Sequence, residues 1–177
     1  VSHEARLREL DITLPPPGKP GGLYTPCVQT GNLLFVSGQV PAVDGQLTVR
    51  GKLGAGVSLE MGQDLARRCA LNALGHVRAQ LGTLDRVVRA VKVNGYVASA
   101  TGFTQQPQVI NGASQLLLDV FGEAGGHARA AVGVAELPGG APVEVEFVFE
   151  VSDAVPESAK KGKAAEKKDE GKKAKKK

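Results

Sequence analysis

"GHARAAVGVAELPGGAPVEVEFVFEV" runs from Gly126 to Val151 and its reading decides the fold. Two apolar stretches, 128–137 and 142–151, flank a Gly-Pro turn, and each has the length and β-branched content of a strand. The second, "VEVEFVFEV", alternates over nine residues. Valines 143, 145, 148 and 151 place apolar groups on both faces, with the change of face at Phe147. One face is expected to meet helices. The other is expected to be covered by a second copy of the chain. Arg129 and Glu144 sit fifteen residues apart on strands expected to pair and to be mostly buried. A cation and an anion in that setting ask for a role.

Outward from this stretch the chain alternates strands and helices. "YTPCVQTG" followed by "NLLFVSGQV" reads as a hairpin turning at Gly31-Asn32. Residues 43–45, "VDG", make a turn before a short strand near Leu47–Val49. Ser58 is placed to cap a helix whose apolar residues Leu65, Ala66, Cys69, Ala70, Ala73, Leu74, Val77 and Leu81 recur at helical spacing, ending near Gly82. "RVVRAVKVNGYVAS" from Arg86 is a strand. Pro107 suits the first turn of a second helix with the stripe Ile110, Ala113, Leu117, Val120 and Phe121, stopped by Gly122. The order predicts a two-layer α+β domain over residues 24–152, a mixed sheet with two helices on one face. Residues 1–23 are expected to form an N-terminal arm, since 11–23 are rich in Pro and Gly.

Composition bounds the rest. The 177 residues are 42% hydrophobic and 4% aromatic, which suits one domain with an appendage. That appendage is 153–177, where the sequence from Pro156 holds ten lysines and four acids. It is expected to be disordered, because no apolar residue there is larger than alanine. Its charge is +6 against +4 for the whole chain, leaving residues 1–155 near −2. The lysines suit weak, salt-sensitive contact with nucleic-acid phosphates or a nuclear address, with a merely solvating role as the plainer reading. No apolar run is long enough to cross a membrane. No secretory or transit signal is expected from "VSHEARLREL". Cys27 and Cys69 fit no metal or redox spacing, which makes the reducing cytoplasm the default and a nuclear or organellar location the alternative. Cys69 reads as buried filler. The scattered His3, His76 and His127 fit no ligand spacing. His76 reads as a surface residue, whereas His127 could line a cleft with Arg129.

The segments "YTPCVQTGNLLFVSGQVP" and "ARAAVGVAELPGGAPVEVE" carry a resemblance. The first resembles, through Tyr24, Gly31, Asn32, Ser37, Gly38, Gln39 and Pro41, a pattern of the Rid family, the reactive-intermediate deaminases also called YjgF-type or L-PSP proteins. The second resembles that family's signature through Arg129, Leu137, Pro138 and Glu144. The resemblance covers about residues 20–151. It implies a chorismate-mutase-like homotrimer with clefts between subunits. It also implies hydrolytic deamination of 2-imino acids or their enamines to 2-oxo acids and ammonia, without cofactor or metal. On that reading Arg129 clamps the substrate carboxylate through its planar fork. Glu144 activates or positions water, and Ser37, Tyr24 and Asn111 line the cleft. Ala131 stands where deaminating members commonly carry Cys, and the link before Asn111 is longer than the family's usual one. Both departures bear on substrate range. Two rival functions follow from the same resemblance: an RNA-binding endoribonuclease or translation inhibitor, and a non-catalytic small-molecule-binding trimer. Taken as residues alone, Arg129 reads first as a surface strand end with a rim ion pair, and Glu144 as the solvent-facing member of an alternating strand.

Overall fold

A computed structural model describes residues 2–154. The lysine-rich segment from Pro156, expected to be disordered, lies outside the described residues. In chain order the elements are α1 (His3–Glu9), β1 (Cys27–Thr30), β2 (Leu33–Gln39), β3 (Ala42–Val43), β4 (Gln46–Leu47), β5 (Lys52–Leu53), β6 (Gly56–Val57), α2 (Leu59–Leu81), β7 (Val87–Ala98), α3 (Gln106–Phe121), β8 (Ala128–Val134) and β9 (Val143–Val151). The long elements begin and end where the local chemistry asks. Ser58 Oγ accepts the Met61 amide at 3.2 Å to start α2, and Gly82 ends it in the left-handed conformation. Pro107 occupies the first turn of α3, where a missing amide hydrogen costs nothing.

The principal sheet has the order β1-β2-β9-β7-β8. The hairpin β1–β2 forms with Thr30 opposite Leu33. The closing stretch corrects the expected pairing. β8 and β9 do not pair with each other. β9 inserts antiparallel between β2 and β7, while β8 lies parallel to β7 on its far side. Parallel neighbours need a crossover, and α3 supplies it. β8 also stops at Val134 rather than 137, because Pro138–Gly140 turn as a short 3-10 segment.

The expected change of face at Phe147 does not occur. β9 alternates strictly: Val143, Val145, Phe147, Phe149 and Val151 are buried beneath the helices, while Glu144, Glu146, Val148 and Glu150 share the opposite face. The core joins these odd positions to Leu74 and Val77 of α2 and to Ile110, Ala113 and Leu117 of α3. The sheet's other face is mixed. Register aligns Val28, Phe35, Val148, Lys92 and Ala128 in one row across all five strands. Val28, Phe35 and Val132 remain 44–55% exposed there.

The N-terminal arm is more structured than its composition implies. Ser2 Oγ caps α1 by accepting the Ala5 amide at 3.0 Å. Leu7 and Leu14 enter the common core. Glu4 Oε1 accepts the Leu84 amide at 2.9 Å, and His3 packs edge-on against Phe121 with ring centroids 4.8 Å apart. The arm therefore belongs to the domain expected to begin at residue 24. Downstream, Pro15 crosses α2 at Gly75, where a Cβ would overlap the Pro15 carbonyl oxygen. A glycine is required at that crossing.

Candidate active site

The five residues singled out from sequence fall into two groups. Tyr24, Ser37 and Glu144 line one cavity of about 700 Å³. Its floor is the end of β2 with the residue that follows, Ser37–Val40, and its wall is α2 through Arg68, Asn72 and His76. The 15–21 segment and Tyr24 make its roof. The Tyr24 hydroxyl accepts the Gly21 amide at 3.2 Å, and Asn72 Nδ2 donates to the Val40 and Ala42 carbonyls, both at 3.0 Å. These contacts bend the chain around the cavity. The β2–β9 register breaks between Val36 and Gln39, and the break lies beside Ser37 and Gly38.

Glu144 reaches across that break. A Cβ on Gly38 would overlap its carboxylate, so the "SGQ" glycine makes room for it. Among the described residues the carboxylate has no hydrogen-bond or ion-pair partner within the chain. Burial, and then the charge of Glu146, push its pKa up. Glu146 itself is held: it accepts Asn94 Nδ2 at 2.9 Å and the Tyr96 hydroxyl at 2.7 Å. That hydrogen bond, with burial added, raises Tyr96 to about 12. Two carboxylates on one face are thus differentiated, one tied down and one free to work. Ser37 Oγ accepts Gln39 Nε2 at 3.3 Å.

Arg129 and Asn111 form the second group, on the β8 edge. Arg129 aligns through Val93 and Phe147 with Val36. Three strand spacings, about 14 Å, therefore separate it from the cavity's floor strand within one chain. Its Nη1 donates to Asn111 Oδ1 at 2.9 Å and Ser114 Oγ at 3.0 Å, and its Nη2 donates to the Pro107 carbonyl at 3.2 Å. Each of these acceptors is neutral, and no carboxylate among the described residues pairs with the guanidinium. Sequence reasoning missed Ser114. His127 joins the same cluster: Nδ1 lies 2.6 Å from the Gly125 carbonyl and carries the proton, leaving Nε2 to accept the Ser114 hydroxyl at 3.0 Å. Burial lowers the His127 pKa, and Arg129 adds to that, against the opposing Gly125 hydrogen bond.

One further expectation changes. His76 is buried, 9% exposed, rather than a surface residue, because α2 buries nearly its whole circumference at that turn. Burial lowers its pKa. The sequence signal was present in the four-residue spacing of Arg68, Asn72 and His76, which puts all three on one line of the helix. Cys27 is half-buried, and burial pushes its thiol up to about 11, opposite to the shift a reactive cysteine needs. Cys69 is fully buried, as its place in the apolar stripe implied. No three of the His, Cys, Asp and Glu side chains among the described residues gather closely enough to hold a metal ion. No helix among them is long and apolar enough to cross a membrane.

A family model described as "YjgF/chorismate_mutase-like, putative endoribonuclease" matches residues 4–146. Protein TCP17 of Trypanosoma cruzi is 48% identical over 150 residues, spanning 84% of this chain and 94% of that protein. A crystal structure of an Agrobacterium tumefaciens protein of unknown function superposes with a TM-score of 0.78 at 46% identity, covering 85% of this chain and 92% of the other. YyfA of Yersinia pestis, described as a protein of unknown function of the conserved Rid family, superposes with a TM-score of 0.53 at 26% identity, covering 77% and 93%.

Proposed function

The chain belongs to the YjgF/chorismate mutase-like family, and from that premise we propose that it hydrolyses reactive 2-imino acids, or their enamine tautomers, to 2-oxo acids and ammonia. One observation carries the reading. Glu144 is a half-buried carboxylate with no hydrogen-bond or ion-pair partner among the described residues and a raised pKa, and it faces a cavity shared with Ser37 and Tyr24. A carboxylate in that condition is a general base held ready. Water adds to the carbon of the protonated C=N bond as Glu144 takes one water proton. The carbinolamine then collapses: Glu144 returns the proton to the amino nitrogen, the C–N bond breaks to release ammonia, and the hydroxyl gives its proton to Glu144 as the C=O bond forms, to be passed on to the ammonia. A protonated imine is already electrophilic, so positioning and one base suffice.

Arg129 enters through assembly. Strands β1 and β8 are the two open edges of the sheet, and a cyclic homotrimer brings one copy's β8 edge to its neighbour's β1–β2 edge. That closure carries Arg129 toward the cavity of the adjacent copy, where it clamps the substrate carboxylate. The exposed Val28, Phe35 and Val132 give the sheet face an apolar component to bury in the same step.

The test is ammonia release from 2-iminobutyrate, generated in situ from threonine by a pyridoxal-phosphate dehydratase, with RNA cleavage assayed in parallel. Wild type accelerates ammonia release. Arg129→Lys loses at least tenfold in kcat/KM while remaining folded, because a charge-assisted hydrogen bond contributes about 1.5–3 kcal/mol and lysine lacks the fork. No acceleration by wild type, or RNA cleavage that survives purification and requires Glu144, overturns the proposal.

A further inference from the structure

The cavity contains more charge than imine hydrolysis requires. Arg68 lines it with no hydrogen bond or ion pair to any described residue, although the unpaired Glu144 lines the same space. His76, nine-tenths buried, lines it as well and has no hydrogen-bond partner among the described residues. Both come from one line of α2, with Asn72 between them committed to the Val40 and Ala42 carbonyls. The remaining charged groups around the cavity are Lys19 and Asp44, both exposed. At about 700 Å³ the space lies within the range of roughly 300–1,000 Å³ that accommodates drug-sized ligands, more than a four-carbon imino acid needs.

Arg68 and His76 stand two turns, about 12 Å, apart along α2 and line one cavity, so a carboxylate between them meets donors from both. The guanidinium supplies charge. The imidazole, kept neutral by burial, supplies one N–H at no further electrostatic cost. The like charge of Glu144 repels a second carboxylate from its own end of the cavity and toward α2. We propose that Arg68 and His76 form a second acid-binding subsite, so that the preferred substrate is the imine of a dicarboxylic amino acid rather than of a short apolar one. The ligand chemistry rests on the imine-hydrolase reading; the subsite rests on the cavity itself.

The subsite is tested by calorimetric titration of the full-length protein with two product-like acids of equal chain length, 2-oxoglutarate and 2-oxopentanoate, which differ in the second carboxylate. Wild type prefers 2-oxoglutarate by roughly ten- to hundredfold, the value of one charge-assisted contact. Arg68→Ala collapses that ratio toward one. Arg68→Lys retains part of it, and His76→Gln reduces it less than Arg68→Ala. Equal ratios in wild type and in a folded Arg68→Ala or Arg68→Lys variant overturn the subsite. So does a wild type that binds neither acid, whatever the ammonia assay returns. An Arg68-dependent preference without ammonia release from any imine leaves the subsite standing and removes the hydrolase reading instead.

Discussion

Gly38→Ala adds one methyl group where Glu144 crosses β2. The new carbon would overlap Glu144 Oε1 and lie 2.9 Å from Cδ and 3.2 Å from Cγ. Ordinary contact is about 3.5–4 Å, so the carboxylate oxygen withdraws by roughly 1 Å or more. The atom that gives way is the tip of a flexible side chain, and the strain is that of an off-rotamer glutamate, about 0.5–1.5 kcal/mol. For a chain of this size that lowers Tm by a few degrees. The chemical cost is much larger, since misplacing a reacting group by about 1 Å can lose on the order of a hundredfold in rate. Differential scanning fluorimetry and the coupled ammonia assay, run on the same preparation, therefore diverge: a nearly native Tm beside kcat lowered about a hundredfold. A folded Gly38→Ala enzyme with wild-type turnover refutes the placement of Glu144 at the reacting carbon. A collapse of Tm far beyond a few degrees refutes the claim that only the carboxylate moves.

Three further outcomes are expected. Glu144→Gln loses turnover but raises Tm at neutral pH. A carboxyl whose pKa is raised on folding stabilises the fold below its unfolded value and loses that contribution as pH rises through the folded one, so the variant flattens the stability profile above the ordinary 4.5; a lowered Tm at pH 7 contradicts this. Cys27, its thiol raised from 9.0 to about 11, reacts with a disulfide reagent at pH 8 roughly tenfold more slowly than a free thiol, because a thiolate fraction lower by about a hundredfold is partly offset by higher nucleophilicity; labelling at the free-thiol rate in the native protein contradicts the raised pKa. Sedimentation gives a particle of about three times the 18.3 kDa chain mass; a stable monomer at micromolar concentration removes the shared-site model for Arg129.

Local chemistry made the helices legible. Ser58, the stripe from Leu65 to Leu81, and Gly82 define α2 without reference to the rest of the chain, and Pro107 and Gly122 bracket α3 in the same way. Strand pairing is a different kind of information. Nothing inside 126–151 says that β9 will insert between β2 and β7, because partner choice depends on how α3 carries β8 across the sheet. The supposed change of face at Phe147 came from counting valines while giving Phe147 and Phe149 too little weight; burial follows the strict alternation. The short α1 was hidden by its Pro- and Gly-rich sequel, although Ser2 is a good cap. Resemblance brought Glu144, Ser37 and Tyr24 to one cavity. It did not bring Arg68 or His76, whose signal lies in a helical spacing that ordinarily marks only a surface stripe.

The place of β9 has a consequence for biosynthesis. Of the described strands, β9 is the last to be synthesised, and it is the middle strand of the sheet. Until it arrives, the nascent chain holds two incomplete pieces, the β1–β2 hairpin and the β7-α3-β8 unit, each exposing an edge that its final neighbour has yet to cover. Vectorial synthesis cannot build this sheet strand by strand. Closure is a late, long-range event that joins residue 33 to residue 150, and its loop entropy is met only then. A ribosome stalled before Val143 would release two sticky half-sheets rather than a smaller working domain.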